Sequence, residues 1–292
     1  MSYSDPIKVP PTTLSEAPIF AGVQMTSRGS VAHCLDVAAQ GITEAVKAGA
    51  KVVVLPENFA TLGTGAAAEI AHAEAAPAEQ PILRWCQSQA EYHQVFLVAG
   101  TVPVWQPGSG LSRARLRVFG PSGEFISQYD KIHLFDADVA DPQGQYRESD
   151  HYEPGAEVVC WDLPLASGGS LRVGVAVCYD LRFPELFQRL RDYGAEVVVV
   201  PSAFTYITGA AHWELLLRAR AVEQGLFMLG VNQCGWHDKA RQTWGRSVWV
   251  TPWGDIDGGL DEQPGVVLGC FDAALIQRCR QQLPTHQHHR LL

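Results

Sequence analysis

No stretch of the 292 residues approaches the roughly 20 consecutive apolar residues of a membrane span. The opening Met1-Ser2-Tyr3-Ser4-Asp5-Pro6 holds no apolar signal core. A soluble, unsecreted, cytoplasmic protein with no membrane partner is therefore expected. Also missing is any block of Lys or Arg: 22 basic residues face 31 acidic ones, for a formal net charge of −9. That balance argues against nucleic acid or an anionic membrane as the main partner. It leaves room for an anionic small substrate, which one local arginine can bind. The seven cysteines are odd in number and form no CxxC pair or regular framework, so disulfides are not expected.

What is present suits one enzyme domain of the α/β class. An apolar share of 47% is ample for burial, and chains of this length often build a single core. Strand-like apolar runs cover Ile19 to Met25, Lys51 to Leu55, Val95 to Gly100, Arg115 to Phe119, Leu171 to Cys178, Val197 to Val200, Phe227 to Val231 and Ser247 to Thr251. Between them, Val31 to Ala48, Pro77 to Tyr92, Glu185 to Tyr193, Ala211 to Gln224 and Ala273 to Gln282 read as helices. The alternation predicts a layered α/β fold. Pro6, Pro10, Pro11 and Pro18 mark the first twenty residues as loose, with a flexible tail over 1–17 and one domain over 18–292.

An internal echo runs between Gly49-Ala50-Lys51-Val52-Val53-Val54-Leu55-Pro56-Glu57-Asn58-Phe59 and Gly194-Ala195-Glu196-Val197-Val198-Val199-Val200-Pro201-Ser202-Ala203-Phe204. Each is a helix end, a glycine cap, a buried strand and a proline. The echo suggests two similar halves whose strand ends point to one face, where open α/β sheets collect their chemistry. Any helix-Gly-strand unit would also look this way.

The most informative segment is Val173-Gly174-Val175-Ala176-Val177-Cys178-Tyr179-Asp180-Leu181-Arg182-Phe183-Pro184-Glu185-Leu186, where an apolar strand breaks into a helix-starting stretch. A thiol on such a turn faces the open end of a sheet. The following helix would lower its pKa from about 8.5 and help to stabilise an oxyanion. A free cysteine is more often simple core filling, but three further groups stand in strand-end contexts. Glu57 follows Val52-Val53-Val54-Leu55-Pro56, Lys131 lies in Tyr129-Asp130-Lys131-Ile132-His133, and Glu148 lies in Arg147-Glu148-Ser149-Asp150. They supply a base, a cation and an acid. Taken singly, each has a plainer reading: a helix cap for Glu57, a solvated charge for Lys131, a loop acid for Glu148.

Four motifs in this order, LPENF (55–59), YDKIHLFD (129–136), RESD (147–150) and GVAVCYDLRFPEL (174–186), closely resemble those of the nitrilase, or carbon-nitrogen hydrolase, superfamily. The likeness continues through Pro201-Ser202-Ala203-Phe204, Arg218-Ala219-Arg220-Ala221-Val222-Glu223 and Pro252-Trp253-Gly254, so it spans roughly Ala21 to the C-terminus. It implies a four-layer αββα sandwich, a Glu/Lys/Cys triad with a second Glu, no cofactor and no metal. It also implies a homodimer formed partly by the helix after Cys178 and the region from Ala211 to Gln224, with the C-terminal segment crossing to the partner. On this resemblance Cys178 would attack a small-molecule amide to give a thioester. Glu57 would take the thiol proton and later activate water. Lys131 and the backbone N–H of Tyr179 would hold the oxyanion, and Glu148 would orient the amide and keep Lys131 charged.

Within the superfamily, Thr208-Gly209-Ala210-Ala211-His212-Trp213-Glu214 and Asn232-Gln233-Cys234-Gly235-Trp236-His237 look most like the deaminated glutathione amidase branch, with the omega-amidases related. Nitrile or N-carbamoyl hydrolysis would use the same machinery, and an idle metabolite-binding scaffold is the non-enzymatic alternative. Arg182 would clamp a substrate carboxylate in bidentate fashion, unless it pairs with Asp180 or Glu185. Phe204, Thr205 and Thr208 are expected to line the pocket. His133 and His212 are set aside as bases because the family pattern uses a carboxylate, and His212-Trp213-Glu214 reads as a helix start at the site's edge. His286, His288 and His289 read as a polar tail. Ser112-Arg113-Ala114-Arg115 departs from the family, where Tyr-Asn commonly precedes the next strand.

Overall fold

The computed structural model describes residues 17–288 and 290. The tail expected over 1–17 therefore falls almost wholly outside the described residues, as does His289. In chain order, β1 (Ile19–Gln24), α1 (Val31–Lys47), β2 (Val52–Val54), α2 (Ala67–Ala75), α3 (Pro81–His93), β3 (Phe96–Gln106), β4 (Leu111–Phe119) and β5 (Phe125–Asp130) form the first half. A small hairpin follows, β6 (Asp136–Asp138) and β7 (Gln145–Arg147). The second half comprises β8 (Cys160–Pro164), β9 (Ser170–Val175), α4 (Pro184–Asp192), β10 (Val197–Ser202), α5 (Tyr206–Gln224) and β11 (Phe227–Asn232). It closes with β12 (Cys234–Trp236), β13 (Gln242–Trp244), β14 (Val248–Val250), β15 (Ile256–Gly259), β16 (Gly265–Cys270) and α6 (Ala273–Gln282).

Two six-stranded sheets result, with strand orders β16-β1-β2-β3-β4-β5 and β15-β14-β11-β10-β9-β8. The internal echo lands on equivalent places. β2 is the middle of the parallel trio β1-β2-β3, and β10 is the middle of the parallel trio β9-β10-β11. Antiparallel strands flank both trios. The valine runs at 52–54 and 197–200 are fully buried, as strands covered on both faces require, and each such side chain contributes roughly 1.5–3 kcal/mol.

The sheets pack face to face through one apolar layer. Phe20 of β1 stacks on Trp249 of β14 with ring centroids 5.5 Å apart. Gly269 of β16 lets that indole approach, since a Cβ there would collide with it. A second apolar layer joins the first sheet to α1 and α3 through Val23, Ala38, Ile42, Val53, Ile82 and Leu97. Leu186, Phe187 and Leu190 of α4, with Trp213, Leu217 and Ala221 of α5, cover the second sheet. The arrangement is the four-layer αββα sandwich that the resemblance implied.

Several boundaries differ from expectation. The loose segment ends earlier than residue 20, because Ile19 and Phe20 already pair with β2 and β16 and Phe20 is buried. The helix expected from Pro77 begins at Pro81, with Gln80 in the left-handed region, and α2 precedes it. The cause is Glu74: its Oε1 accepts the N–H groups of Ile82 and Leu83 at 2.7 and 3.2 Å, capping α3 from outside. Its Oε2 accepts from Arg117 Nη1 at 2.6 Å, a buried ion pair that ties α2 to β4. The helix expected from Ala211 starts at Tyr206, so His212-Trp213-Glu214 lies within α5 and not at its start. The strand ending at Cys178 stops at Val175, and residues 178–182 form a 3-10 turn.

Removing one partner of a buried pair leaves the other charge uncompensated, at about 3–5 kcal/mol. Glu74→Ala should therefore lower unfolding stability by about that amount, measured by chemical denaturation; an unchanged midpoint would contradict the pairing.

Candidate active site

Every expected reactive group stands at or beyond a strand end on one rim. Glu57 follows β2 and Lys131 follows β5, which runs in the same direction because β4 is antiparallel to both β3 and β5. Glu148 opens a 3-10 turn after β7, and Cys178 follows β9 in the facing sheet. The structure thus gathers four residues spread over more than a hundred positions of chain.

Lys131 is the hub. Its Nζ donates to Glu57 Oε1 at 2.8 Å and to Glu148 Oε1 and Oε2 at 3.0 and 2.7 Å. Only 2% of its surface is exposed. Burial alone would strip the proton from such an ammonium, but the charges of Glu148 and Glu57 outweigh it and hold its pKa well above that of an ordinary lysine. Cys178, 8% exposed, has φ of +49°, a left-handed conformation that costs a non-glycine residue about 1–2 kcal/mol. Burial pushes its thiol well above the usual range, and the Glu57 carboxylate adds to this. Lys131 and the backbone N–H of Ala203 oppose them. The expected lowering does not occur, because burial and Glu57 outweigh everything that would favour the thiolate. The resting sulfur is a protonated thiol beside a carboxylate.

The two carboxylates are held as firmly as the lysine. The Phe135 N–H donates to Glu148 Oε2 at 2.7 Å. The Pro56–Glu57 turn rests on β3, where a Cβ on Gly100 would collide with the Pro56 carbonyl oxygen. Gln233 Nε2 donates to the Glu57 carbonyl at 3.1 Å and to Ser27 Oγ at 2.7 Å, while its Oε1 accepts the Ser27 N–H at 3.1 Å. Ser27 Oγ donates in turn to the Phe59 carbonyl at 2.6 Å. His237 completes this clamp: Nδ1 lies 2.7 Å from the Ser27 carbonyl and Nε2 lies 2.7 Å from Thr243 Oγ1. A carbonyl only accepts, so Nδ1 carries the proton and Nε2 accepts from the threonine. Burial lowers the ring's pKa to about 4.

Cys178 opens into a narrow cleft lined by Phe135, Tyr179, Arg182, Phe204, Thr205 and Thr208. All four residues expected to bind substrate are thus beside the sulfur. Arg182 forms neither ion pair foreseen for it. Asp180 is engaged with Tyr129, His133 and Val177, and the Arg182 guanidinium lies over the Phe204 and Tyr179 rings, 5.4 and 5.8 Å from their centroids, with Nη1 3.2 Å from His212 Nδ1. Its buried Nε meets no acceptor. Asn232 Oδ1 accepts the Phe204 N–H at 2.9 Å, fixing that wall of the cleft. Thr205 and Thr208 share a hydroxyl contact of 2.8 Å.

Around Lys131, the divergent Ser112–Arg115 segment forms an ionic latch. Arg115 grips Asp130 with bonds of 2.7 and 2.9 Å, and Arg113 bridges Asp130 at 3.1 Å and Glu153 at 2.6 Å. The backbone of Lys131 is pinned on both sides, its N–H by the Ala114 carbonyl and its C=O by the Gly155 N–H. Asn232, Gln233 and His237 were not singled out as site residues by sequence reasoning. The Gln-Cys-Gly-x-His spacing flagged Gln233 and His237 as a branch marker without showing what they hold. All seven cysteines are free thiols. Among the described residues, no three His, Cys, Asp or Glu side chains converge as a metal site, and no helix is long and apolar enough to cross a membrane.

Residues 20–281 match the family model described as Carbon-nitrogen hydrolase. The deaminated glutathione amidase of Yersinia enterocolitica is 39% identical over 248 residues, covering 85% of this chain and 84% of its own. Saccharomyces cerevisiae Nit3, a member of branch 10 of the nitrilase superfamily, superposes with a TM-score of 0.80 at 27% identity, over 94% of this chain and 97% of that one. An amidase from Nesterenkonia sp. AN1, solved with acrylamide added at its active-site cysteine, gives a TM-score of 0.72 at 26% identity, over 92% of this chain and 99% of that one.

The neutral His237 clamp generates a pH dependence of stability. Its folded pKa of about 4 lies below the ordinary 6.5, so unfolding takes up a proton at intermediate pH. Its contribution is complete above about pH 6.5 and drains as the pH falls towards 4, by roughly 3 kcal/mol in all. Thermal unfolding of the parent should steepen its decline over that window relative to His237→Asn; parallel curves would contradict the assignment.

Proposed function

Because the chain belongs to the carbon-nitrogen hydrolase family, we propose that it is a cysteine amidase cleaving deaminated glutathione to 2-oxoglutarate and cysteinylglycine. The observation that carries the reading is the Lys131 ammonium bonded to Glu57 and Glu148 within the field of the Cys178 thiol. In the first step Glu57 takes the thiol proton as Cys178 Sγ bonds to the amide carbonyl carbon. The oxygen becomes an oxyanion, held by Lys131 and the Tyr179 N–H. The C–N bond then breaks, the proton on Glu57 passes to the departing amine, and a thioester remains. Glu57 next takes a proton from water, the hydroxide adds to the thioester, and the thiolate leaves and is reprotonated. Glu148 orients the amide and keeps Lys131 charged.

A resting thiol with a raised pKa suits this sequence. The proton moves to a carboxylate only when a carbonyl is present to take up the negative charge, so a reactive thiolate does not stand idle. Arg182, with Phe204, Thr205 and Thr208, would hold the α-keto acid end, and its unpartnered Nε beside Cys178 supports that role. The substrate follows from the relatives named deaminated glutathione amidase and from the Gln233–His237 signature. Omega-amidase action on 2-oxoglutaramate is the runner-up, since both substrates present the same acid end. Nothing in this scheme calls for a cofactor. Seven free thiols support a reducing, cytoplasmic location.

A homodimer is part of the same proposal. α5 is apolar on its outer face as well as its inner one: Leu215 is 65% exposed and Ile207 and Val222 about half exposed, with Gly254 packed close to Val222 and the half-exposed Trp253 next to it in the chain. Such a face suits an isologous contact made with α4 and the C-terminal segment. Light scattering at micromolar concentration should give twice the chain mass, and Leu215→Lys should shift it towards monomer; a monomeric parent would contradict the interface.

Purified protein should turn over deaminated glutathione faster than 2-oxoglutaramate, an N-carbamoyl amino acid or a simple nitrile. Cys178→Ala should abolish turnover of all four. Equal rates in parent and variant would overturn the mechanism, and a different ranking would reassign the substrate.

A further inference from the structure

We propose that Asp180 is a positioning residue that sets the Cys178 sulfur against the Lys131 ammonium. Its carboxylate is wholly buried and accepts four hydrogen bonds, from donors on both sides of the site. Oδ2 accepts the Tyr129 hydroxyl at 2.7 Å and the Val177 N–H at 2.8 Å. Oδ1 accepts the His133 N–H at 3.0 Å and lies 2.7 Å from His133 Nδ1. Tyr129 and His133 stand two residues before and two residues after Lys131. Val177 stands immediately before Cys178, and Asp180 itself two residues after it. One anion therefore binds the Lys131 segment and the Cys178 turn, across 47 to 51 positions of chain.

Capping the 3-10 turn needs only the Val177 N–H. The other three donors all come from the Lys131 segment, and nothing about the turn itself requires them. The neighbours reinforce the bridge. The His133 ring stacks flat on Phe183, centroids 3.6 Å apart at 7°, so the residue directly after the turn is also held. Burial and the adjacent Asp180 charge push the Tyr129 phenol well above its usual range, which keeps its O–H available as a donor. Cys178 holds a strained φ of +49°, and strain of that kind persists only where the surroundings over-determine it. A buried anion with four donors, one of them adjacent to the strained residue, supplies that constraint.

The inference rests on the reading of Cys178 as nucleophile and Lys131 as oxyanion partner. If the bridge sets their separation, its loss should slow chemistry more than binding, because a misplacement of about 1 Å near the reacting atoms can cost on the order of 100-fold. Asp180→Asn keeps the shape but turns an amide N–H₂ toward donors. With the amide that the protein turns over fastest, kcat should fall by about tenfold or more while KM changes by less than about threefold. Tyr129→Phe removes one donor and should give a smaller fall in kcat with the same KM, which keeps the test open if Asp180→Asn fails to fold. Glu74→Gln weakens a buried carboxylate site away from the rim and serves as the control: its melting temperature should drop while kcat holds. If Asp180→Asn or Tyr129→Phe lowers the melting temperature as Glu74→Gln does and leaves kcat intact, the role is merely structural and the proposal fails. Loss of activity in Cys178→Ala alongside that result would leave the amidase reading standing; retained activity in Cys178→Ala would remove the reading itself.

Discussion

The site depends on one buried ammonium shared by two carboxylates. Lys131 would not stay charged in so dry a place without the charges of Glu148 and Glu57 beside it. Burial and Glu57 together keep Cys178 protonated against the pull of Lys131. In the proposed mechanism the same carboxylate that suppresses the thiolate at rest receives its proton when an acyl carbon arrives, so restraint and activation come from one group.

Bringing those charges together requires two sheets. Glu57 and Lys131 belong to strand ends of the first sheet, Cys178 and the Phe204–Thr208 wall to strand ends of the second. The apolar layer between the sheets, with Phe20 against Trp249 and a glycine giving that indole room, fixes how the rims face each other. Finer alignment comes from polar bridges that cross between segments. Gln233 ties the Ser27 loop and the Glu57 turn to the end of β11, and its neighbour Asn232 ties Phe204 to the same strand end. Asp180 ties the segments on either side of Lys131 and Cys178.

Legibility in the sequence follows the range of the interaction. The buried parallel strands could be read because continuous valine runs are a local signal, and the four motifs could be read through their resemblance to the carbon-nitrogen hydrolase superfamily, since strand-end position alone left each residue a plainer reading. The internal echo proved to mark equivalent middle strands in the two sheets, though a generic helix-Gly-strand unit would have looked the same. The edge strands β5 and β8 mix polar and exposed residues such as Gln128 and Asp162 among their apolar ones, which dilutes the strand signal. The true start of α3 was hidden because its cap comes from Glu74, outside the helix. Gln233 and His237 act on Ser27 across more than two hundred residues, a distance at which no periodicity speaks. The thiol pKa departs from expectation for a related reason: burial and the Glu57 carboxylate raise it, and neither can be read from the residues around Cys178.

The central claim is that the resting nucleophile is a thiol governed by the Lys131–Glu57–Glu148 cluster. Ultraviolet absorbance near 240 nm, where thiolate absorbs, titrated as the difference between parent and Cys178→Ala, measures this directly. The account predicts no thiolate step from Cys178 between about pH 6 and 9. A step with its midpoint below about pH 7 would contradict it.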